Sequence, residues 1–235
     1  MSEKDSEEHG ELSVMKKLAS RQQPHSHVMH IVGDFNLEGP NGIHHCLVFE
    51  LLGPSVSDVV DARFHDRLPG KLAKDIARQV VSGLDILHQE GIGHGGELPS
   101  SEKALNSPNP LDLHTCNLAF AMDNIPDKMS GKPEIGHVHR SDGMALEPGI
   151  PEYIVRPVTH SKKPLTNTIK IIDFGESFLQ QTVPVTLHTP LPVRAPEVIF
   201  RDRLDYRVDL WSLGCMVSYC PASSVIEGQF SERGG

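Results

Sequence analysis

Ile169-Lys170-Ile171-Ile172-Asp173-Phe174-Gly175 decides how this chain is read. Three isoleucines in four positions read as a short buried strand, here over 169–172. The strand runs straight into an acid, a phenylalanine and a glycine. Downstream stands Ala195-Pro196-Glu197. Beyond it Asp205-Tyr206-Arg207-Val208-Asp209-Leu210-Trp211-Ser212-Leu213-Gly214 opens a helix over about 205–219, with Trp211 expected in the core. Upstream, Asp112-Leu113-His114-Thr115-Cys116-Asn117 sets an acid and an amide at D-x-x-x-x-N spacing, ahead of a strand over 117–121.

Further out, the pattern is helical over 6–20, where Leu12, Met15 and Leu18 share a face. Strands are expected over 28–35 and 44–51, joined by turn chemistry at Glu38-Gly39-Pro40-Asn41-Gly42. The clearest helix covers 71–90, with a stripe of Leu72, Ile76, Val80, Leu84 and Leu87 and a stop at Gly91. Residues 93–111 read as loop, and 122–168 as a long irregular connection rich in Pro, Gly, His and charge.

The 235 residues carry 38% hydrophobic and 23% charged side chains, a globular composition. The net charge of -9 argues against nucleic-acid binding and suits a basic partner. Cysteines 46, 116, 215 and 220 form no C-x-x-C pair, which points to a reduced protein inside the cell, in cytoplasm or nucleus. No apolar stretch reaches the roughly 18 residues that span a bilayer. The polar start Met1-Ser2-Glu3-Lys4-Asp5 does not read as a signal peptide. Histidines 25, 27 and 30 lack partners at metal-ligand spacing, and Cys116 has no base of its own.

Together the three downstream motifs resemble the protein kinase superfamily. Gly39 to Gly53, with His44-His45-Cys46-Leu47-Val48-Phe49-Glu50-Leu51-Leu52, looks like the strand and hinge of SR-protein kinases, and the catalytic loop fits fungal members of that group. The resemblance implies an α+β, two-lobed kinase fold with a mainly helical C-lobe. It implies ATP and Mg2+ as cofactors and transfer of the γ-phosphate to protein Ser or Thr, on Arg/Ser-rich substrates. By the same resemblance Asp112 accepts the proton of the substrate hydroxyl, while Asn117 and Asp173 hold magnesium. Phe49 is the gatekeeper, Glu50 to Leu52 form the adenine-binding hinge, and Glu11 is the glutamate of helix C. Asp209 bonds the backbone of the catalytic loop. Phosphoryl transfer needs positioning and neutralised charge, which two carboxylates and an amide around a divalent metal supply.

Four departures qualify the resemblance. No Gly-rich loop and no V-A-I-K-type lysine precede Glu11, so the N-lobe, about 1–50, reads as incomplete. The phosphate-contacting lysine position holds His114, a weaker and pH-dependent cation. Gly96 to Leu111 interrupts His94-Gly95 and the catalytic aspartate, and the resemblance stops near Met216. The hinge and C-lobe then occupy 51–216, with insertions at 96–111 and 122–168 and a non-family tail over 217–235. Both 96–111 and 217–235 are compatible with translated introns. Gly96-Glu97 can be encoded with a GTGAG donor, Leu111-Asp112 with a TAG acceptor, and Val217-Ser218 with a second donor, in phase. A shortened C-lobe predicts poor solubility, because apolar helix faces are left uncovered. The rival to an active kinase is a non-catalytic fragment or pseudokinase acting as a binding module. A small-molecule kinase is a third reading, which the Ala195-Pro196-Glu197 segment and the hinge disfavour.

Overall fold

The structure is a computed structural model, and it describes residues 3–20, 25–39, 42–61, 68–96, 117–122, 134–147, 150–156, 166–189 and 191–219. Helix α1 (Glu3–Ala19) buries Val14, Met15 and Leu18. Strands β1 (Ile31–Gly39) and β2 (Gly42–Phe49) form an antiparallel hairpin. The ladder closes at the pair Gly39↔Gly42, so both strands lie nearer the turn than the expected 28–35 and 44–51. A two-residue loop fixes that register. Gly42 has φ +120°, open to glycine and hardly to other residues.

Strand β3 (Leu52–Ser55) leads into α2 (Val56–Asp61). Ser55 and Asp58 cap this helix reciprocally. The Ser55 N–H donates to Asp58 Oδ2 at 3.1 Å, and the Asp58 N–H to Ser55 Oγ at 3.0 Å. Helix α3 (Gly70–Gln89) buries Ala73, Ile76, Val80, Gly83, Leu84 and Leu87, which includes the expected stripe except Leu72, which is only partly buried. It is followed by β4 (Ile92–Gly93), β5 (Leu118–Ala121), β6 (Ile135–His137), β7 (Tyr153–Val155), β8 (Ile169–Ile171) and β9 (Phe178–Leu179). The last helices are α4 (Pro196–Ile199) and α5 (Arg207–Tyr219). Asp205 Oδ1 accepts the Arg207 N–H at 2.8 Å, which starts α5 two residues after the expected point.

Strands β3, β5 and β8 make an antiparallel sheet with β5 in the middle. The chain entering β1 joins it, since Val28 bridges Ile171 in parallel and the Met29 N–H donates to Ile171 O at 2.9 Å. Gly83 lets α3 approach this junction. A Cβ there would stand 2.7 Å from Ile171 Cδ1 and 2.9 Å from His27 O. Around it lies the main core, with Met15, Leu87, Ile92, Phe120, Ile169 and Phe174 sealed from solvent. A second cluster, Phe178, Leu187, Ala195, Val198, Leu204 and Val208, packs the segment between β9 and α5.

Two expectations are corrected. The stretch 122–168 is not wholly irregular, because β6 pairs with β7 over Ile135↔Val155 to His137↔Tyr153. Its β-branched and aromatic residues favour that ladder. Trp211 is 45% exposed rather than core. The buried residues of α5 are Val208, Asp209 and Met216, and Trp211 is left at the margin of that side, partly in water.

Candidate active site

The site is built where β8 ends. Asp173 has φ +67°, the left-handed region that non-glycine residues rarely enter and that clusters at functional positions. Phe174 turns inward and is fully buried, with its ring 5.1 Å from that of His94 in an edge arrangement. His94 Nε2 lies 2.9 Å from Ile172 O, so the imidazole donates to the residue just before Asp173. The main chain of His94 is held in turn. Its N–H donates to Asp209 Oδ2 at 2.9 Å, and the Gly95 N–H to Asp209 Oδ1 at 3.0 Å. His88 Nε2 completes the knot, 2.9 Å from Asp209 Oδ2.

Gly95 has φ +78°, and a Cβ there would stand 2.4 Å from Glu176 O. Both facts require glycine beside the Asp-Phe-Gly turn. On the other side, Asn117 precedes β5 and is buried. Its carbonyl accepts the Ile172 N–H at 2.9 Å, continuing the β5–β8 ladder to within one residue of Asp173.

Glu11 on α1 faces the same turn. Burial raises its pKa above the ordinary value of 4.5, and the charge of Asp173 raises it further. Glu11 has no hydrogen bond or ion pair among the described residues. The charge of Asp173 thus disfavours ionisation of Glu11, an effect that a hard divalent cation held by Asp173 would reduce. In the segment after Asp-Phe-Gly, Glu176 Oε1 lies 3.0 Å from His188 Nδ1, joining the two ends of the loop. Thr189 is buried beside it. Its carbonyl accepts from the Arg194 guanidinium, and its hydroxyl has no partner among the described residues.

The architecture matches the crystal structure of the PF14_0431 kinase domain with a TM-score of 0.60, over 94% of this chain and 53% of that one, at 20% identity. The fold is that of a protein kinase domain. Among curated relatives, the serine/threonine-protein kinase SRPK of Physarum polycephalum is 30% identical over 81% of this chain and 44% of its own length. Serine/threonine-protein kinase AFC3 of Arabidopsis thaliana is 24% identical over 88% of this chain and 42% of its own. Protein kinase dsk1 of Schizosaccharomyces pombe is 34% identical over 36% of this chain. The chain spans less than half the length of these relatives. No protein-family model matches the sequence. Among the described residues, no helix is long and apolar enough to cross a membrane.

Within this kinase fold the residues singled out from the sequence are distributed as follows. The β5–β8 register brings Asn117 to the residue before Asp173, and Glu11 approaches from α1. Phe49 ends β2 and packs partly against the main core, and Leu52 opens β3 opposite Ala121. Glu50 lies between those strands with its carboxylate on Lys170. Asp112 and His114 lie outside the described residues, as do Cys116 and most of the 96–111 insertion. His27 directs its ring to Ile169 O at 3.1 Å, and the His30 N–H donates to Glu50 Oε1 at 3.1 Å.

Sequence reasoning missed Lys170, the ring role of His94, and the joining of Glu176 to His188. Only for His94 was a signal present, its place just before the catalytic-loop motif.

Proposed function

We propose that the chain forms part of a serine/threonine protein kinase, transferring the γ-phosphate of ATP to protein hydroxyls. The observation that carries this reading is the turn at Asp173. It takes a left-handed backbone, is backed by the buried Phe174–His94 pair, and lies one residue from the partner of Asn117. Asp173 and Asn117 are the residues that would hold Mg2+, with Asp173 facing Glu11 as the charge a cation would offset. Bound there, the metal would neutralise the phosphate charge that builds up during transfer.

In the reaction the substrate hydroxyl oxygen bonds to the γ-phosphorus as the bond to the β,γ-bridging oxygen breaks, and ADP leaves. In this reading Asp112 takes the hydroxyl proton, and His114 serves as a pH-dependent cation for the phosphates in place of the usual lysine. The backbone of Glu50 to Leu52, after the gatekeeper Phe49, binds adenine. In this reading residues 1–50 belong to the N-lobe and 51–216 to the hinge and C-lobe. The net charge of -9 supports basic, Arg/Ser-rich protein substrates within the cell.

A second reading, a non-catalytic binding module of the same fold, is favoured by one observation. Glu11 has no cationic partner among the described residues, while the acidic Asp173 adds to the raising of its pKa. Thermal unfolding with Mg-ATP separates the two. Ligand at 100 times its Kd adds about 2.7 kcal/mol, so the kinase reading expects a clear upward shift with millimolar Mg-ATP. No shift, together with no phosphate incorporation into an Arg/Ser-repeat peptide, leaves the binding module. The genomic sequence tests the intron reading of 96–111 and 217–235, which fails if the donor dinucleotides are missing.

A further inference from the structure

A buried ion pair lies outside the motifs that carry the kinase reading. Lys170 Nζ stands 2.6 and 2.7 Å from the two carboxylate oxygens of Glu50, and the side chains are only 10% and 18% exposed. Glu50 is held from a second side. Its Oε1 accepts the His30 N–H at 3.1 Å, and its own N–H donates to His30 O at 3.3 Å. His30 Nδ1 is 2.7 Å from Glu50 Oε1 but not aligned for a hydrogen bond.

The two partners come from distant segments of the chain. Lys170 sits in β8, opposite Ala119, three residues before Asp173. Glu50 sits where the chain leaves β2 for β3. A buried ion pair is a poor way to gain stability, because desolvation offsets the attraction and an apolar pair often does as well. It does set distance and direction, which an apolar contact does not. A lysine bonded to both oxygens of one buried carboxylate ties the two segments together, because parting them would leave a charge buried alone.

We infer that Lys170 is a positioning residue. Its bond to Glu50 is a strut that sets the separation between Asp173, with the metal it would hold, and the 50–52 segment that would take adenine. The inference rests on the kinase reading of those residues. A nucleotide must be gripped at base and phosphates together, and about 1 Å of misplacement at such a site costs roughly 100-fold.

The test measures the affinity of the full chain for ADP, with Mg2+ and with chelator, in wild type, Lys170→Met, Lys170→Arg and Glu50→Gln. All four are compared at a temperature where each is folded by circular dichroism. The strut predicts that Lys170→Met loses about tenfold or more of the Mg2+-dependent gain in affinity, that Glu50→Gln follows it, and that Lys170→Arg keeps most of the gain. A merely structural role would lower the unfolding temperature and leave that ratio alone, and this result overturns the inference. Should Lys170→Met not fold, Glu50→Gln decides, since it keeps the volume and one acceptor. A wild type that binds ADP equally with and without Mg2+, or not at all, overturns the kinase reading and the strut with it. A wild type with a Mg2+ effect that both variants retain overturns the strut alone.

Discussion

Asp209 and Glu11 are both drawn out of water, and their surroundings differ in every respect that matters to a carboxylate. Asp209, 4% exposed, receives the N–H groups of His94 and Gly95 and lies against His88 Nε2. Its charge is matched by donors that the fold holds in place. Glu11, half-buried, has no donor among the described residues and faces a second carboxylate. The first environment makes an acid into a clamp on the backbone. The second leaves a half-buried carboxylate whose charge no donor among the described residues balances, a kind of group that marks candidate functional positions. The contrast separates what maintains the site from what the site is for.

The comparison breaks most sharply at the clamp. Asp209→Ala leaves two buried N–H groups and a histidine without their acceptor. Each orphaned donor costs about 1–3 kcal/mol, so equilibrium urea unfolding should show a loss of at least about 3 kcal/mol. Asp209→Asn, which keeps one oxygen, should lose less. A loss below about 1 kcal/mol for the alanine variant would mean the knot around His94 does not hold the fold.

Next in size is Gly95→Ala, which puts a side chain at φ +78° and 2.4 Å from Glu176 O. Backbone strain of this kind costs about 1–3 kcal/mol. The same measurement should therefore show a loss near 2 kcal/mol, and an unchanged midpoint would contradict the close approach.

Smallest is Glu11→Gln, whose sign is opposite. The folded pKa of Glu11 is raised, so the folded chain holds its proton more tightly than the unfolded chain. Stability therefore falls as pH rises from the ordinary value of 4.5 through the folded one. The glutamine variant should flatten that part of the stability–pH curve and be equal to or more stable than wild type at neutral pH. The gain stays under about 1 kcal/mol, because a half-exposed charge is screened. Mg2+ with nucleotide should shrink the gain, since a cation on Asp173 removes part of the repulsion. A Glu11→Gln variant less stable at neutral pH would show that Glu11 has a favourable partner after all.

Legibility in the sequence followed the range of the interactions. The stripe Ile76, Val80, Leu84 and Leu87 announced α3 and its buried side, because helix periodicity is local. Asp173-Phe174-Gly175 after an apolar strand announced the turn, and Asp209 was read as support for the catalytic-loop backbone. The pair Glu50–Lys170 was invisible, with its members 120 positions apart and no local pattern to mark either. Trp211 was misjudged for the same reason. Which side of α5 is covered depends on α3 and β4, not on α5 itself. The β6–β7 ladder was missed because a stretch rich in Pro, Gly and His hides two short strands whose pairing spans 16 residues even at its nearest point, His137↔Tyr153.

By itself, the order of residues determined the three long helices, the strand that leads into Asp173, the motif spacings and the kinase resemblance they carry. These rest on interactions between neighbours along the chain. The tertiary structure alone decided which acids are paired and which are bare. The donors to Asp209, the lysine on Glu50 and the carboxylate opposite Glu11 all come from distant segments, and a charge buried in a fold takes its character from whatever the fold sets beside it.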